Sequence, residues 1–365
     1  MRLNHNKIIC IKLVLLYLPI HQYQSKIQDF IDTNNFQSST SDPTKTFQSQ
    51  VRKTVNHSPN LIPPCLKWKL INLNPSAPSI KGLIKLHKPD HPIRPVVNWR
   101  NAPAYKLAKS FNQKITQFAP LPYAFNVSNS TDLINQLLQT PLTPTSTFAS
   151  LDITNMYSNV PINDTRKILE EITLNNTINP DIRHELLSWF DTITGQNYFL
   201  HKNNTIVQKE GLAMGAPSSS ILSEIFLQHA EHSHLPRLTE KHRLVNYFRY
   251  VDDILLVYDS THTDIKSILN DFNSIHPNLT FTDELEQDNK LNFLDITIHK
   301  TPAGIQFSIF RKPTFTDTLI PYTSIHPPQH KYSAIRFLYN RLNSYHLNTV
   351  EHQREENIIH NIPSQ

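Results

Sequence analysis

Two periods of apolar and polar positions run through this chain, and the densest apolar runs flank residue 251. Val245, Tyr247, Phe248 and Tyr250 come before Val251-Asp252-Asp253; Ile254, Leu255, Leu256 and Val257 follow. Their β-branched and aromatic content predicts two strands joined by a tight turn. Phe148-Ala149-Ser150-Leu151-Asp152-Ile153 predicts a short buried strand with Asp152 near its C-terminal end. Shorter hairpins are expected at residues 198–200 with 205–207, and at 81–89 with 92–97 around a Pro-Asp turn. Residues 291–298 read as one strand pairing with 305–309 around Pro302-Ala303-Gly304.

Helical spacing fills the intervals. Ala104, Leu107, Ala108 and Phe111 share one face of a mostly helical stretch, residues 101–140, that Pro141 and Pro144 end. Asn163 offers an N-cap before Ile168, Leu169 and Ile172. Further helices are expected over 182–190 and around Ile265, Ile268, Leu269 and Phe272. Ile221, Leu222, Ile225 and Phe226 form the buried stripe of a helix running to about His234. It opens from a loop, Gly211-Leu212-Ala213-Met214-Gly215-Ala216-Pro217-Ser218-Ser219, whose glycines let the backbone approach a ligand closely. The Gly-Lys-Ser/Thr ending of a P-loop is absent there.

The ends of the chain carry weaker patterns. Ile8 to Ile20 is apolar apart from Lys12, too short to span a bilayer and without a small-residue cleavage site, so a packed helix is expected. Residues 32–60 are rich in Ser, Thr, Asn and Gln and read as linker or disorder. The tail after Lys331 is helical and polar.

Composition narrows the chemistry. The 365 residues are enough for two or three subdomains. The two cysteines, Cys10 and Cys65, make neither a disulfide framework nor a zinc spacing, which points to a reducing compartment. The net charge is only +5, yet residues 81–114 hold eight basic side chains against one acid, Asp90. Such a patch suits a polyanion, although a solvated basic face would have the same composition. Within it, Lys85, Lys88 and Arg94 sit on a short hairpin suited to a triphosphate.

Adjacent Asp252 and Asp253 would repel, and burying them unpaired would cost on the order of several kcal/mol each. An ordinary Asp-Asp turn is one reading; a divalent cation is the other. Asp152, at a strand-to-loop junction, supplies a third hard oxygen ligand of the kind Mg²⁺ takes. Two such ions roughly 4 Å apart would activate a 3′-hydroxyl and stabilise leaving pyrophosphate. Asp295 is a candidate fourth ligand, but its place in a half-buried strand favours a structural role.

Taken together, these blocks resemble a reverse transcriptase, most nearly those of Penelope-like retroelements. The resemblance covers roughly residues 81–331. It rests on Gly82-Leu83-Ile84-Lys85-Leu86-His87-Lys88-Pro89 with Arg94-Pro95, Ser150-Leu151-Asp152 with Tyr157, the glycine loop, and Arg249-Tyr250-Val251-Asp252-Asp253. Asn292-Phe293-Leu294-Asp295, Arg311-Lys312-Pro313-Thr314 and His326-Pro327 with His330-Lys331 resemble later blocks. Lys81 and Ile84 stand where the family usually has Tyr and Pro, and Ser219-Ser220 where it has Ser-Pro.

The resemblance implies an α+β right-hand polymerase, with a fingers region, an antiparallel-sheet palm and a short or missing thumb. By position, an N-terminal segment and linker would occupy residues 1–60, fingers 61–145, palm 146–320 and a helical connector or partial thumb 321–365. Asp152 and Asp252 would be the principal ligands of two Mg²⁺, with Mn²⁺ as a substitute; Asp253 and the Ile153 carbonyl would support them. Lys85, Arg94, Tyr157, Gly215, Pro217 and Ser219 would meet the incoming nucleotide; Lys88, Arg100, Arg311 and Lys312 would contact nucleic acid. The implied partners are an RNA template, a DNA primer and dNTPs, working in the nucleus and not at a membrane. No GIY-YIG nuclease block follows Lys331, so a separate endonuclease is expected, and a short upstream region reads as a shortened copy.

Two other functions fit the same residues. One is an inactive remnant that only binds nucleic acid. The other is an RNA-directed RNA polymerase. Residue 157 separates the latter from the leading reading, because a bulky ring there would press on C2′ of the sugar. A core aromatic after a buried strand is the plain alternative for Tyr157.

Overall fold

The computed structural model describes residues 7–11, 14–34, 36–85, 90–202, 204–302, 304–312, 319–321 and 323–362, with side chains from residue 19 onward. Strands in chain order are β1 (Lys7–Ile11), β2 (Val14–Leu18), β3 (Gln37–Ser39), β4 (Ser79–Ile84), β5 (Ile93–Asn98), β6 (Ser146–Ile153) and β7 (Tyr198–His201). They continue as β8 (Asn204–Val207), β9 (Leu244–Tyr250), β10 (Asp253–Asp259), β11 (Phe281–Leu285), β12 (Lys290–Phe293), β13 (Ile296–Thr301) and β14 (Gly304–Ile309). With the helices between them this is the expected α+β chain. No described helix is long and apolar enough to cross a membrane.

The chain folds as two compact units that interleave along the sequence. One takes residues 1–7, 17–123 and 155–234; the other takes 8–16, 124–154 and 235–365.

The first unit is built on a five-stranded sheet, ordered β3-β8-β7-β4-β5. Helix Tyr105–Phe118 buries Leu107, Ala108, Phe111 and Ile115 on the face that their spacing predicts. Helix Pro180–Thr194 buries Leu186, Leu187, Trp189, Phe190 and Ile193. Residues 44–56 are not linker. They form a helix that buries Thr44, Gln48, Val51 and Val55. Half of that stripe is polar, so the composition reads as unstructured although the spacing is helical. Asn163 does not cap its helix either; Ile162–Asn175 starts one residue earlier, with Pro161 as the flanking residue.

The second unit holds a four-stranded antiparallel sheet, β11-β6-β10-β9. Strand β10 is internal, and Ile254 through Tyr258 are all buried. That is why its sequence is a continuous apolar run rather than an alternating one. Phe148, Phe248, Leu255 and Val257 pack with Leu133, Ile134 and Leu137 of helix Ser130–Leu138. The same core takes in Phe293, Ile296, Ile298 and Phe307 from a three-stranded sheet, β12-β13-β14.

Three expectations are corrected here. The apolar N-terminal run forms the β1–β2 strand pair before the helix Ile20–Thr33 rather than one packed helix. Residues 291–298 are not one strand: Phe293 pairs with Ile296, and the chain reverses through Leu294 (φ 53°) and Asp295. The helix expected to end near His234 runs from Ser219 to His242 with Pro236 inside it. Leu235 and Leu238 are almost wholly buried there, and their packing offsets the roughly 3 kcal/mol that an interior proline costs a helix.

Candidate active site

The carboxylates come from β6 and the β9–β10 hairpin of the second unit. Asp253 lies directly opposite Asp152 in the β10–β6 register, and Tyr250 pairs with Asp253 across the hairpin. Directly opposed residues share one sheet face, with Cα atoms about 4.5–5.5 Å apart. Val251 and Asp252 therefore form a two-residue turn, and Asp252 occupies its tip, across from Ile153. Asp152 is exposed; Asp252 and Asp253 are half-buried.

The turn is strained. Val251 has φ 58°, a conformation a β-branched side chain rarely adopts and which costs about 1–3 kcal/mol. Hydrogen bonds from Ile153 and Arg249 hold it. The Ile153 amide donates to the Asp252 carbonyl at 3.1 Å. The Arg249 guanidinium donates to the Val251 carbonyl at 3.0 Å and to Asn126 Oδ1 at 3.2 Å. Arg249 is fully buried, and its own backbone bonds Phe125 and Val127 at 2.9 Å each. Sequence reasoning quoted Arg249 only as part of a motif. The signal was a charge beside Phe248 in a strand that is mostly apolar.

Arg249→Met keeps the volume but removes these donors. The expected result is a loss of about 1–3 kcal/mol in stability, since a half-buried carbonyl and amide lose a charged partner. Primer extension should fall further than a stability loss explains, because the tip carries Asp252. Urea unfolding together with extension rates on the still-folded fraction measures both; unchanged extension in that fraction would separate Arg249 from the tip.

As donors the three carboxylates suit hard divalent cations. Among the described residues no three His, Cys, Asp or Glu side chains stand close enough together to hold an ion. Like-charged carboxylates repel. The register brings the backbones of Asp152 and Asp253 side by side.

Asp295 is elsewhere engaged. Ser130 Oγ and Tyr345 OH both donate to its carboxylate, the latter at 2.5 Å, and Arg341 Nε lies 3.5 Å away. Burial, then the bond to Asp295, pushes the Tyr345 phenol up to about 12. This supports the structural role expected of Asp295: it locks the β12–β13 turn to the helix Ser333–Ser344.

The residues expected to meet the nucleotide lie in the first unit. On β4–β5, Leu83 pairs with Arg94, and the Lys85 amide donates to the Pro92 carbonyl at 2.8 Å. Two-residue periodicity then puts Lys81, Leu83 and Lys85 on the same face as Arg94. Arg94 is exposed and Lys85 half-buried. Lys88 lies outside the described residues, as do Pro313 and Thr314.

The glycine loop is stitched down on two sides. The Val97 amide of β5 donates to the Met214 carbonyl at 2.9 Å, and the Leu212 amide donates to the Tyr157 carbonyl at 2.6 Å. A Cβ at Gly215 (φ 103°) would lie 2.2 Å from the Val97 oxygen; one at Gly211 (φ 74°) would lie 2.1 Å from the Ser158 oxygen. Asn112 donates to the Pro217 carbonyl at 2.7 Å. Ser219 is buried, and its hydroxyl donates to the Ala213 carbonyl at 2.6 Å, so it shapes the loop from within. Tyr157, half-buried on the short helix Met156–Asn159, is joined to the loop through its backbone.

Of the expected nucleic-acid contacts, Arg100 and Lys312 are exposed. Arg311 has a different use from the expected one. Both its terminal nitrogens bond the carboxylate of buried Glu355, joining the end of β14 to helix Thr349–His360. A bidentate pair of this kind directs the guanidinium inward, away from a phosphate.

A strand carrying one Asp, paired with a hairpin carrying two more, is the arrangement of a nucleic-acid polymerase palm. The family model for reverse transcriptase (RNA-dependent DNA polymerase) matches residues 86–282, more than half of the chain. The chain belongs to that family, whose members generally work with divalent metal ions. No curated protein matches it. Among solved structures it is similar to telomerase from Candida albicans in complex with a fragment of telomeric RNA. That match has TM-score 0.60 and 12% identity, and covers 97% of this chain and 61% of the other. It is also similar to apo telomerase from Candida tropicalis, with TM-score 0.57 and 11% identity, covering 94% and 62%. At these identities the likeness is one of fold. The chain spans about three fifths of the length of those telomerase chains.

Proposed function

We propose that this chain is the RNA-directed DNA polymerase of a Penelope-like retroelement, extending a primer 3′-end with dNTPs. The observation that carries the reading is the register of Asp152 against Asp253, with Asp252 at the tip of a turn held under strain. In the reaction the primer 3′-oxygen loses its proton and bonds the α-phosphorus, and the bond to pyrophosphate breaks. Asp152, Asp252 and Asp253, with the Ile153 carbonyl, would hold two Mg²⁺, which when bound lower the hydroxyl's pKa and offset charge on the leaving group. Lys85 and Arg94 neutralise the triphosphate, and Gly215 and Pro217 form the floor beneath it. Arg100 and Lys312 contact the nucleic-acid backbone. Work in the nucleus alongside a separate endonuclease completes the reading.

Extension of oligo(dT) on poly(rA) with Mg²⁺ and dTTP tests it. Product that disappears on chelation is expected; a folded protein yielding none under any divalent ion would overturn the assignment. Tyr157 tests the sugar. A steric gate discriminates by clash, so Tyr157→Val should admit rNTPs while dNTP incorporation persists. A mere core aromatic would instead lose roughly 3–5 kcal/mol when cut back, and both nucleotides would suffer alike. The dNTP-to-rNTP ratio of kcat/KM is the readout, and an unchanged ratio would reopen the RNA-polymerase reading.

A further inference from the structure

One large aromatic side chain faces solvent where nothing in the polymerase reading uses it. Trp68 is 62% exposed, on the short 3-10 helix Pro64–Leu70, with Leu66 and Leu73 exposed beside it in the sequence. The other two tryptophans, Trp99 and Trp189, are 2% and 0% exposed. The exposure is built in. Leu70 is buried and anchors the turn. The stretch leading into it is clamped by the buried Glu185 carboxylate, which accepts from the Asn60 side chain and the Leu61 amide, both at 2.8 Å. Trp189 Nε1 donates to Ser58 at 2.7 Å, and Lys67 Nζ to the Asn56 carbonyl at 2.7 Å.

The flanking sequence carries one sign of charge. Lys69 Nζ lies 5.9 Å from the centroid of the Trp68 ring. Between Asp42 and Asp90 the sequence has eight lysines and arginines and no acid at all. An exposed ring on a rigid support, with a lysine beside it and a basic stretch of chain around it in sequence, is what binds unpaired bases: the ring stacks on a base, and the cations take the flanking phosphates. A duplex keeps its bases stacked on one another and offers the ring nothing.

We propose that Trp68, with Lys69, is a stacking platform for single-stranded nucleic acid, its strand being the unpaired RNA template. The assignment deepens the polymerase reading and rests on it for the identity of the strand. Base stacking on such a ring contributes enough that its removal weakens binding roughly 5- to 150-fold.

Because Trp68 is the one exposed tryptophan, its fluorescence reports directly, without catalysis. Titrating the full chain with oligo(rU) should quench the exposed-tryptophan emission, and added salt should reverse the quench. Trp68→Phe should abolish the signal while keeping most of the affinity by anisotropy. Trp68→Ala should lose it within the range above, with an unchanged melting curve because the side chain is exposed. A blunt duplex should not quench. Unquenched emission at saturating oligo(rU), or equal affinity for Trp68→Ala, would overturn the platform. Quenching by oligo(dT) alone would assign the site to displaced DNA and overturn the template role. Quenching that rises with protein concentration in the absence of nucleic acid would mean that a second copy covers the ring. Primer extension is scored separately: a quench without extension removes the polymerase reading and leaves the platform, and extension without a quench does the reverse.

Discussion

Asp152→Asn and Asp252→Asn should each abolish primer extension in a protein that still folds. Removing one preorganised electrostatic contact to a transition state commonly costs about 10²–10³-fold, and a lost ligand charge should cost no less. Folding is spared for a reason visible in the sheet. Asn is isosteric with Asp and keeps an oxygen acceptor at the same place, and Asp152 is exposed. Stability should therefore change little. Asp253→Asn should lose less activity than either if Asp253 only supports the other two, as proposed. Single-turnover extension and thermal melting measure the two sides independently. Extension by Asp152→Asn or Asp252→Asn at the wild-type rate would sink the metal-holding assignment.

Gly215→Ala should destabilise the first unit by about 2–5 kcal/mol, combining the left-handed penalty for an L-residue with overpacking. The clash sets the size. The new Cβ would stand 2.2 Å from a backbone oxygen, that of Val97, and a strand backbone cannot rotate away as a side chain would. Moving the loop off β5 breaks the Val97–Met214 hydrogen bond and loosens the tie between the loop and the strand that carries Arg94. The KM for dNTPs should then rise in whatever fraction still folds. Gly304→Ala is the control. Its φ is 119°, but a Cβ there meets nothing within 4 Å, so only the conformational penalty applies. Equal destabilisation of the two variants in urea would show that the glycine loop is not wedged against β5.

What the amino-acid order determined by itself was local. The strands around Asp152 and Asp252, the helical face of Leu107, Ala108 and Phe111, and the identity of the three carboxylates all follow from neighbours a few positions away. Periodicity and side-chain chemistry report such neighbours directly. What the tertiary structure alone decided depends on partners far along the chain. Leu294-Asp295 has no glycine or proline, and its aspartate sits inside an apolar run that reads as a continuous strand; Asp295 takes its bonds from Ser130 and Tyr345. Arg311 looks like a basic contact point until Glu355 is brought against it. Thr44 and Gln48 read as linker until the first unit buries them. Arg249 shows its use only once Val251 turns back over it. Most consequential is the register that sets Asp253 opposite Asp152. A one-residue slip would put the two carboxylates on opposite faces, and the choice is made by which side chains of β6 and β10 the core accepts.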